Sequence, residues 1–389
     1  MALDIARRVS SEPLLRPGDV PSSSEAFEVV SVLNPAAARL GDGIHLLLRV
    51  SERPVRRDPP RDAVTVDLEG ADPKLVPLGP GHHADDVVPI AMWSAEERRM
   101  NVAYLPKDLP GLDLSDPRGV TFSHPTTKRQ HIFLTQFSHL RCARSEDGER
   151  FEVDAKPSIF PDNPLEEYGC EDARATCIDG TWYITYVSVS RIGITTSLAT
   201  TRDFRDFRRR GVILPPDQKD VVLFPARMRG HFVALTRPMP SSFGHVLGIW
   251  IAMPDGDYLP WGRHEPIVLP RTGRWDERQT GAGTVPFRVR EGWLEIYHGA
   301  NAEHHYQLGA ALLDADDPSQ VLARSPEPIL EPELPFEIEG FFGNVVYACG
   351  HVPLDDEGRR IRVYYGAADS CVAAADFSVD EIIASLERT

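Results

Sequence analysis

The 389-residue chain reads as an all-β protein. Three observations predict it. The 34 prolines and 29 glycines are spread along the whole length and interrupt it too often for long helices. Between them lie short runs in which apolar and polar residues alternate, the period of a strand. One pattern then recurs: a turn glycine followed by an alternating strand that ends in polar or aromatic residues. Its instances are DGIHLLLRV from Asp42, DGTWYITYVSVS from Asp179, RGHFVALTRP from Arg229, EGWLEIYHGA from Glu291 and EGRRIRVYYGAAD from Glu357. Hairpins repeated at intervals of roughly 40–70 residues suggest a propeller in which each blade is one small sheet. Five instances predict five blades.

Taken in order, residues 1–33 form an N-terminal extension, and the first repeat follows. The interval from Gly43 to Gly180 is the longest. It holds two more strand-like runs, MNVAYLP from Met100 and HIFLTQFSHL from His131, so an insertion is expected there. Its segment from Ser51 to Gln130 is a natural rim for a site. The remaining repeats follow, and SVDEIIASLE begins the one good helix, expected over 378–389 with Ser378 or Asp380 near its cap. One domain over 1–389 is the simplest division.

Composition narrows the function. At 42% apolar the chain can bury a large core, and 26% charged residues is ordinary for a soluble globule. A net charge of -16 opposes nucleic acid and anionic membranes as partners. There is no apolar run of membrane-spanning length, and MALDIARRVSSEPLLRP lacks the apolar centre of a signal peptide, so a cytoplasmic location is expected. Cys142, Cys170, Cys177, Cys349 and Cys371 form no CxxC pair and read as reduced thiols. Cys170, beside acids, is the one with a nucleophile alternative.

In a propeller the ends of equivalent strands converge on a central channel. Those ends supply Arg49, Tyr186, Arg237, His298 and Asp369. The segment YGCEDARAT adds Glu171, Asp172 and Arg174. A carboxylate with a raised pKa can protonate a leaving oxygen, and an arginine holds a neighbouring acid ionised. A surface turn with a weak ion pair is the plainer reading. Lys219 and Arg237 flank a hairpin and could hold an anion or a sugar oxygen, or be two solvated charges. In WDERQTGAGTVPF the glycines lack the GK[ST] ending of a phosphate loop. Trp275 could offer a face to a sugar or pack in the core. His298, His304, His305 and Tyr306 show no metal-ligand spacing, so no metal is expected. In a regular strand His298 shares a face with Leu294 and Ile296, opposite Glu295 and Tyr297. FEIEGFFGNVVYACG adds Glu337 and Glu339.

Together these segments resemble glycoside hydrolase family 130, the β-mannoside phosphorylases and β-1,2-mannosidases. The matching pieces are VLNPAAARLGDGIHLLLRV, YGCEDARAT, KDVVLFP with LTRP, GAGTVPF with GWLEIYHG, YQLGAALLD, and GFFGNVVYACG with YYGAADS, in the family's order from about Asn34 onward. The resemblance implies a five-bladed propeller and inversion at the anomeric carbon of a β-mannoside oligosaccharide. It implies Asp172 as general acid, relaying its proton through a sugar hydroxyl. Arg174 and Asp369 fall on family site positions. Lys219, Arg237 and His298, with Tyr306 nearby, fall on the anion site. No cofactor is implied, only inorganic phosphate as co-substrate of a phosphorylase. Family members often form homo-oligomers, which carries over as an expectation.

Two departures stand out. Ala173 replaces the phosphorylases' usual proline. Gln279 replaces a phosphate-binding lysine and brings no charge to that position. FSHLRCARSEDGERF and GFFGNVVY also look like the hydrolase branch. The reading therefore favours a β-mannosidase with water as nucleophile, with phosphorylase as the alternative and a non-catalytic sugar-binding propeller as the contrast. An inverting hydrolase needs a base about 6.5–9.5 Å from the acid. Glu337 is the first candidate, Glu295 the second unless a bulge turns it inward, and Glu277 the third. Arg49, Glu171 and Trp275 complete the expected sugar contacts.

Overall fold

Each of the five repeated segments forms the second strand of an antiparallel sheet. These strands are Gly43–Pro54, Thr181–Ser190, Ala234–Pro238, Trp293–Ala300 and Arg360–Ala367. The computed structural model describes residues 3–70, 73–116, 119–240, 244, 246–255 and 259–389. The first two residues of the expected N-terminal extension thus lie outside the described residues. The fold is all-β, with short helices at Pro335–Ile338 and Val379–Ser385.

The first sheet contains Phe27–Leu40, Gly43–Pro54 and Phe137–Ser145. The second contains Gly169–Ile178, Thr181–Ser190, Gly193–Thr201 and Arg208–Leu214. A single parallel pairing, Ser138 with Gly169, joins them. Only glycine fits there: its φ is +129°, and a Cβ would stand 2.6 Å from the Ser138 nitrogen. The third sheet begins at Gln218–Leu223, the fourth at Gln279–Ala282 and the fifth at Val346–Pro353. The chain ends are tied in. Arg7–Arg8 pairs with Cys371–Ser378, and Glu387–Arg388 pairs with Val321–Arg324.

Two boundaries differ from expectation. The C-terminal helix is Val379–Ser385, shorter than 378–389, because the last residues return to a sheet edge. Ser378 caps it, accepting from the Glu381 nitrogen at 3.3 Å. The N-terminal region is not all extension, since Arg7–Arg8 and Phe27–Leu40 are strands.

The inner strands of the sheets are buried on both faces, so their alternating side chains serve two different cores. All eight residues of Trp293–Ala300 are buried. Leu294 and Ile296 pack with Val346 and Val363 of the fifth sheet. Trp293 and Tyr297 pack with Leu235 and Ile251 of the third. The same alternation places Leu46 and Leu48 against Tyr364 and Val372, and Leu47 against Ala173 and Ile184. Val221 and Leu223 pack with Ile178 and Ala234.

The insertion expected after the first repeat is present. It is a four-stranded sheet of Val64–Asp67, Lys74–Pro77, Val87–Ser94 and Arg99–Pro106, plus a three-stranded sheet of Leu112–Asp113, Gly119–Ser123 and Gln130–Leu134.

What positions the site is a set of bulges in first strands. The register shifts between Leu33 and Ala36, between Glu171 and Arg174, and between Lys219 and Val222. Asn34, Asp172 and Asp220 sit at these shifts with φ of 46°, 48° and 53°. A bulge adds a residue and re-aims side chains that a regular strand would send to opposite faces. The acids of YGCEDARAT therefore lie inside a strand, not in a surface turn.

Candidate active site

An open cavity of about 880 Å³ is lined by Arg49, Glu171, Asp172, Lys219, Arg237, Tyr306 and Asp369, all expected from sequence. Asn34, Arg278, His304, Phe341, Phe342 and Tyr347 line it as well. The insertion contributes Asp116 and Leu134, and Gln136 follows. A larger cleft, about 1050 Å³, runs between the insertion and Phe27 and Phe160. It lacks the convergence of buried acids and cations, so chemistry rather than size selects the smaller cavity.

One side of the cavity is acidic. Arg49 donates from Nη2 to Glu171 Oε1 at 2.8 Å and from Nη1 to Asp172 Oδ1 at 3.1 Å. The Asn34 amide donates to the same Asp172 oxygen at 2.8 Å. Lys219 Nζ lies 4.0 Å from Glu171 Oε2. Burial alone would raise the Asp172 pKa, but Arg49, Lys219, Arg174 and the Asn34 amide outweigh it and hold the group below the usual carboxylate range. Asp369 goes the other way. Burial, with Asp172 and Glu171 nearby, pushes it to about 6 despite Arg49 and Lys219. The two aspartates thus have separated proton affinities, the arrangement that divides roles between paired acids.

The other side is cationic, and its organiser is a residue that sequence reading passed over. Asp220 is fully buried. Its Oδ2 lies 3.0 Å from Arg237 Nε and 3.3 Å from His298 Nε2. Its Oδ1 accepts from Tyr347 Oη at 2.6 Å and Arg174 Nη2 at 3.3 Å. Burial opposes the charge, yet Arg237, His298 and Arg174 hold Asp220 well below the usual range. Arg237 Nη1 is buried and has no protein partner among the described residues. A buried guanidinium donor without an acceptor, at a cavity wall, suits an anion. The signal for Asp220 was its place in KDVV, beside Lys219, matching Asp172 beside Glu171.

Arg174 and His298 do not reach the cavity wall. Arg174 lies beneath it, donating to the Ala282 carbonyl at 2.8 Å, the Gly283 carbonyl at 3.2 Å and the Asp172 carbonyl at 3.1 Å. His298 packs against Tyr347 with tilted rings, centroids 4.2 Å apart. Both are supports rather than contacts. Gln279 is also behind the wall and donates to Tyr306 Oη at 2.7 Å. Arg278, one residue earlier, lines the cavity instead. Tyr186 is withdrawn, donating to Glu166 Oε1 at 2.9 Å.

The three glutamates considered as bases lie outside the cavity lining. Glu337 is fully buried and bound to Arg8 and Tyr365. Glu295 accepts from the Gly283 nitrogen at 2.9 Å, and burial pushes its pKa well above the usual range. The parity argument holds for it, because no bulge occurs in its pairing with the next strand. Glu277 accepts from the Gly273 nitrogen in a turn. Trp275 is corrected too. It stacks on Tyr297 at 5.4 Å and fills space left by Gly299 and Gly309, where a Cβ would come within 2.6 and 2.4 Å of the indole. Cys170 is buried, and burial raises its thiol pKa, which removes it as a nucleophile. Among the described residues, no group of three or more metal-ligating side chains occurs and no helix is long and apolar enough to cross a membrane.

An all-β scaffold that gathers acids, cations and aromatics around one open polar cavity defines a carbohydrate-active enzyme. The chain belongs to glycoside hydrolase family 130. The family profile, described as beta-1,4-mannooligosaccharide phosphorylase, matches residues 131–388. A Beta-1,2-mannobiose phosphorylase of Listeria innocua is 37% identical over 380 residues, covering 98% of both chains. A 1,2-beta-oligomannan phosphorylase of Thermoanaerobacter sp. is 40% identical over 248 residues, covering 63% of this chain and 80% of its own. The solved Listeria innocua Beta-1,2-mannobiose phosphorylase in complex with beta-1,2-mannobiose superposes with a TM-score of 0.81 at 36% identity, over 98% of both chains.

Proposed function

We propose that this protein is an inverting phosphorylase of β-1,2-linked mannosides, releasing α-mannose 1-phosphate. This replaces the preference for hydrolysis drawn from sequence. The observation that carries it is the asymmetry of the cavity. Lys219, Arg237 and Arg278 line it, whereas Glu337, Glu295 and Glu277 are each engaged elsewhere. A phosphorylase needs counter-charge and no base, because phosphate is already anionic. The charge missing at Gln279 is supplied beside it by Arg278. The relatives named above as phosphorylases of β-1,2-mannosides support the same reading.

In this mechanism a phosphate oxygen attacks the anomeric carbon. The bond to the leaving sugar oxygen breaks, and its electron pair stays on that oxygen. Asp172 supplies the proton, relayed through a sugar hydroxyl. Beside Arg49, Asp172 is held ionised. A bound phosphate adds negative charge and a bound sugar removes water, and both raise its pKa toward that of an acid. Asp369 and Glu171 are assigned to the mannose, with Arg49 tying both sides together.

The same reading extends to the scaffold. The five sheets pack face to face in chain order, and the fifth packs on the first. A five-bladed propeller, one catalytic domain over the whole chain, accounts for that order. Five free cysteines, four of them buried, suit a cytoplasmic location.

The test is incubation with β-1,2-mannobiose with and without inorganic phosphate. Phosphate-dependent turnover to α-mannose 1-phosphate is expected. Release of free mannose at a rate indifferent to phosphate would return the reading to hydrolysis, and tight binding without turnover would make the protein a sugar-binding module.

A further inference from the structure

Glu337, withdrawn from catalysis, has an unusually complete set of partners. Its Oε1 accepts from Arg8 Nε at 2.9 Å and Tyr365 Oη at 2.7 Å. Its Oε2 accepts from Arg8 Nη2 at 2.9 Å and from the backbone nitrogens of Glu333 and Leu334 at 2.8 and 2.9 Å. The Arg8 contact is a two-pronged fork, the geometry that fixes orientation as well as charge. Arg8 also donates to the Glu331 carbonyl at 2.7 Å and to Glu333 Oε2 at 2.7 Å. An arginine near the chain start thereby grips the segment before Pro335–Ile338 at several points.

That helix leads directly into the cavity wall. The Glu337 carbonyl accepts from Val345 at 3.1 Å, and the Ile338 carbonyl accepts from Asn344 at 3.1 Å. Between them runs Glu339–Gly343, carrying Phe341 and Phe342. Its neighbours are the Tyr306 backbone and the turn that carries Asp369. The Asn344 carbonyl accepts from Tyr306, and the Phe342 nitrogen donates to Ala368, beside Asp369. A Cβ at Gly340 would stand 2.3 Å from the Ala368 carbonyl oxygen, so the loop is pressed against the Asp369 turn. Phe341 is 47% exposed. A large exposed aromatic at the wall of a polar cavity is a platform for the C–H face of a sugar.

We propose that Arg8 and Glu337 form a positioning clamp that holds the Phe341–Phe342 wall and so sets affinity for the mannoside, not for phosphate. The proposal rests on the phosphorylase reading. The clamp touches no substrate and acts through the loop.

The experiment compares Arg8→Met, Arg8→Lys, Glu337→Gln and Phe341→Ala with wild type, in folded proteins checked by thermal unfolding. KM for β-1,2-mannobiose is measured at saturating phosphate, and KM for phosphate at saturating mannobiose. Arg8→Met and Glu337→Gln are expected to raise the mannobiose KM about tenfold, with the phosphate KM within about twofold. Arg8→Lys keeps charge but not the fork and is expected to fall between. Adding Arg8→Met to Phe341→Ala should cost no more than Phe341→Ala alone, since both act on one wall. An unchanged mannobiose KM in Arg8→Met, an equal rise in both KM values, or full additivity in the double variant would overturn the clamp. If Glu337→Gln does not fold, the arginine pair and the double variant still decide it. If wild type shows no phosphorolysis, the functional reading fails on its own, and mannobiose Kd in the same variants tests the clamp.

Discussion

Asp172 and Asp220 occupy corresponding places in successive sheets. Each sits at a bulge in its sheet's first strand, with φ of 48° and 53°. Each follows a long polar residue that lines the cavity, Glu171 in one case and Lys219 in the other. One local device therefore serves two ends: Asp172 is presented to the cavity, and Asp220 is buried beneath it to gather Arg237, His298, Arg174 and Tyr347.

For Asp220 the consequence is structural. Asp220→Ala leaves two buried arginines without their counter-charge. Removing one partner of a buried ionic set costs about 3–5 kcal/mol. Chemical denaturation should show a loss of that size, and phosphate binding should weaken in the protein that remains folded because Arg237 loses its anchor. An unchanged denaturation midpoint would contradict the role of Asp220 as organiser.

For Asp172 the consequence is chemical. Asp172→Asn keeps an oxygen for Arg49 and the Asn34 amide but has no proton to deliver. Loss of a general acid lowers kcat roughly a thousandfold. Affinity for mannobiose, read by calorimetry, should change little. A variant that turns over at close to the wild-type rate would remove Asp172 from the reaction.

Arg278 is exposed at the rim, where solvent screens its charge. Its effect should be modest and dependent on salt. Arg278→Gln is expected to raise the phosphate KM about fivefold at low ionic strength and less at high. The mannobiose KM is the internal control. Loss of mannoside affinity instead would reassign Arg278 to the sugar.

Much of this site was legible in the sequence because its parts come from a repeat. A turn glycine and an alternating run marked the second strand of every main sheet. Arg49, Asp172, Lys219, Arg237, Tyr306 and Asp369, scattered over the chain, do meet at one cavity. The rest was hidden for two physical reasons. Parity in a regular strand cannot foresee a bulge, so Asp220 escaped notice beside Lys219. Residue type also does not reveal a partner far away in the chain. Glu337 looked like a free acid because nothing local announces Arg8, 329 positions earlier. Trp275 looked like a sugar platform because the glycines that receive its ring, Gly299 and Gly309, lie in two strands further along the chain. The missing charge at Gln279 suggested hydrolysis, although Arg278 at the rim carries one.

Asp369 offers a test that does not depend on turnover. Its pKa is about 6 in the folded protein against a reference of 3.8. Between those values the folded protein binds more protons than the unfolded chain, so this group's contribution to stability is full below pH 3.8 and is lost as pH rises through about 6. Asp172 works in the opposite direction, since its lowered pKa stabilises above the usual carboxylate range and fails as pH falls. Asp369→Asn cannot ionise and should escape the penalty. At pH 7–8 the variant should be more stable than wild type by about 1–2 kcal/mol, after allowance for screening at an open cavity. The difference should vanish on acidification below about pH 4. Urea denaturation of both proteins across this range measures it directly. A difference that stays constant with pH would show that burial and the neighbouring acids do not raise the proton affinity of Asp369.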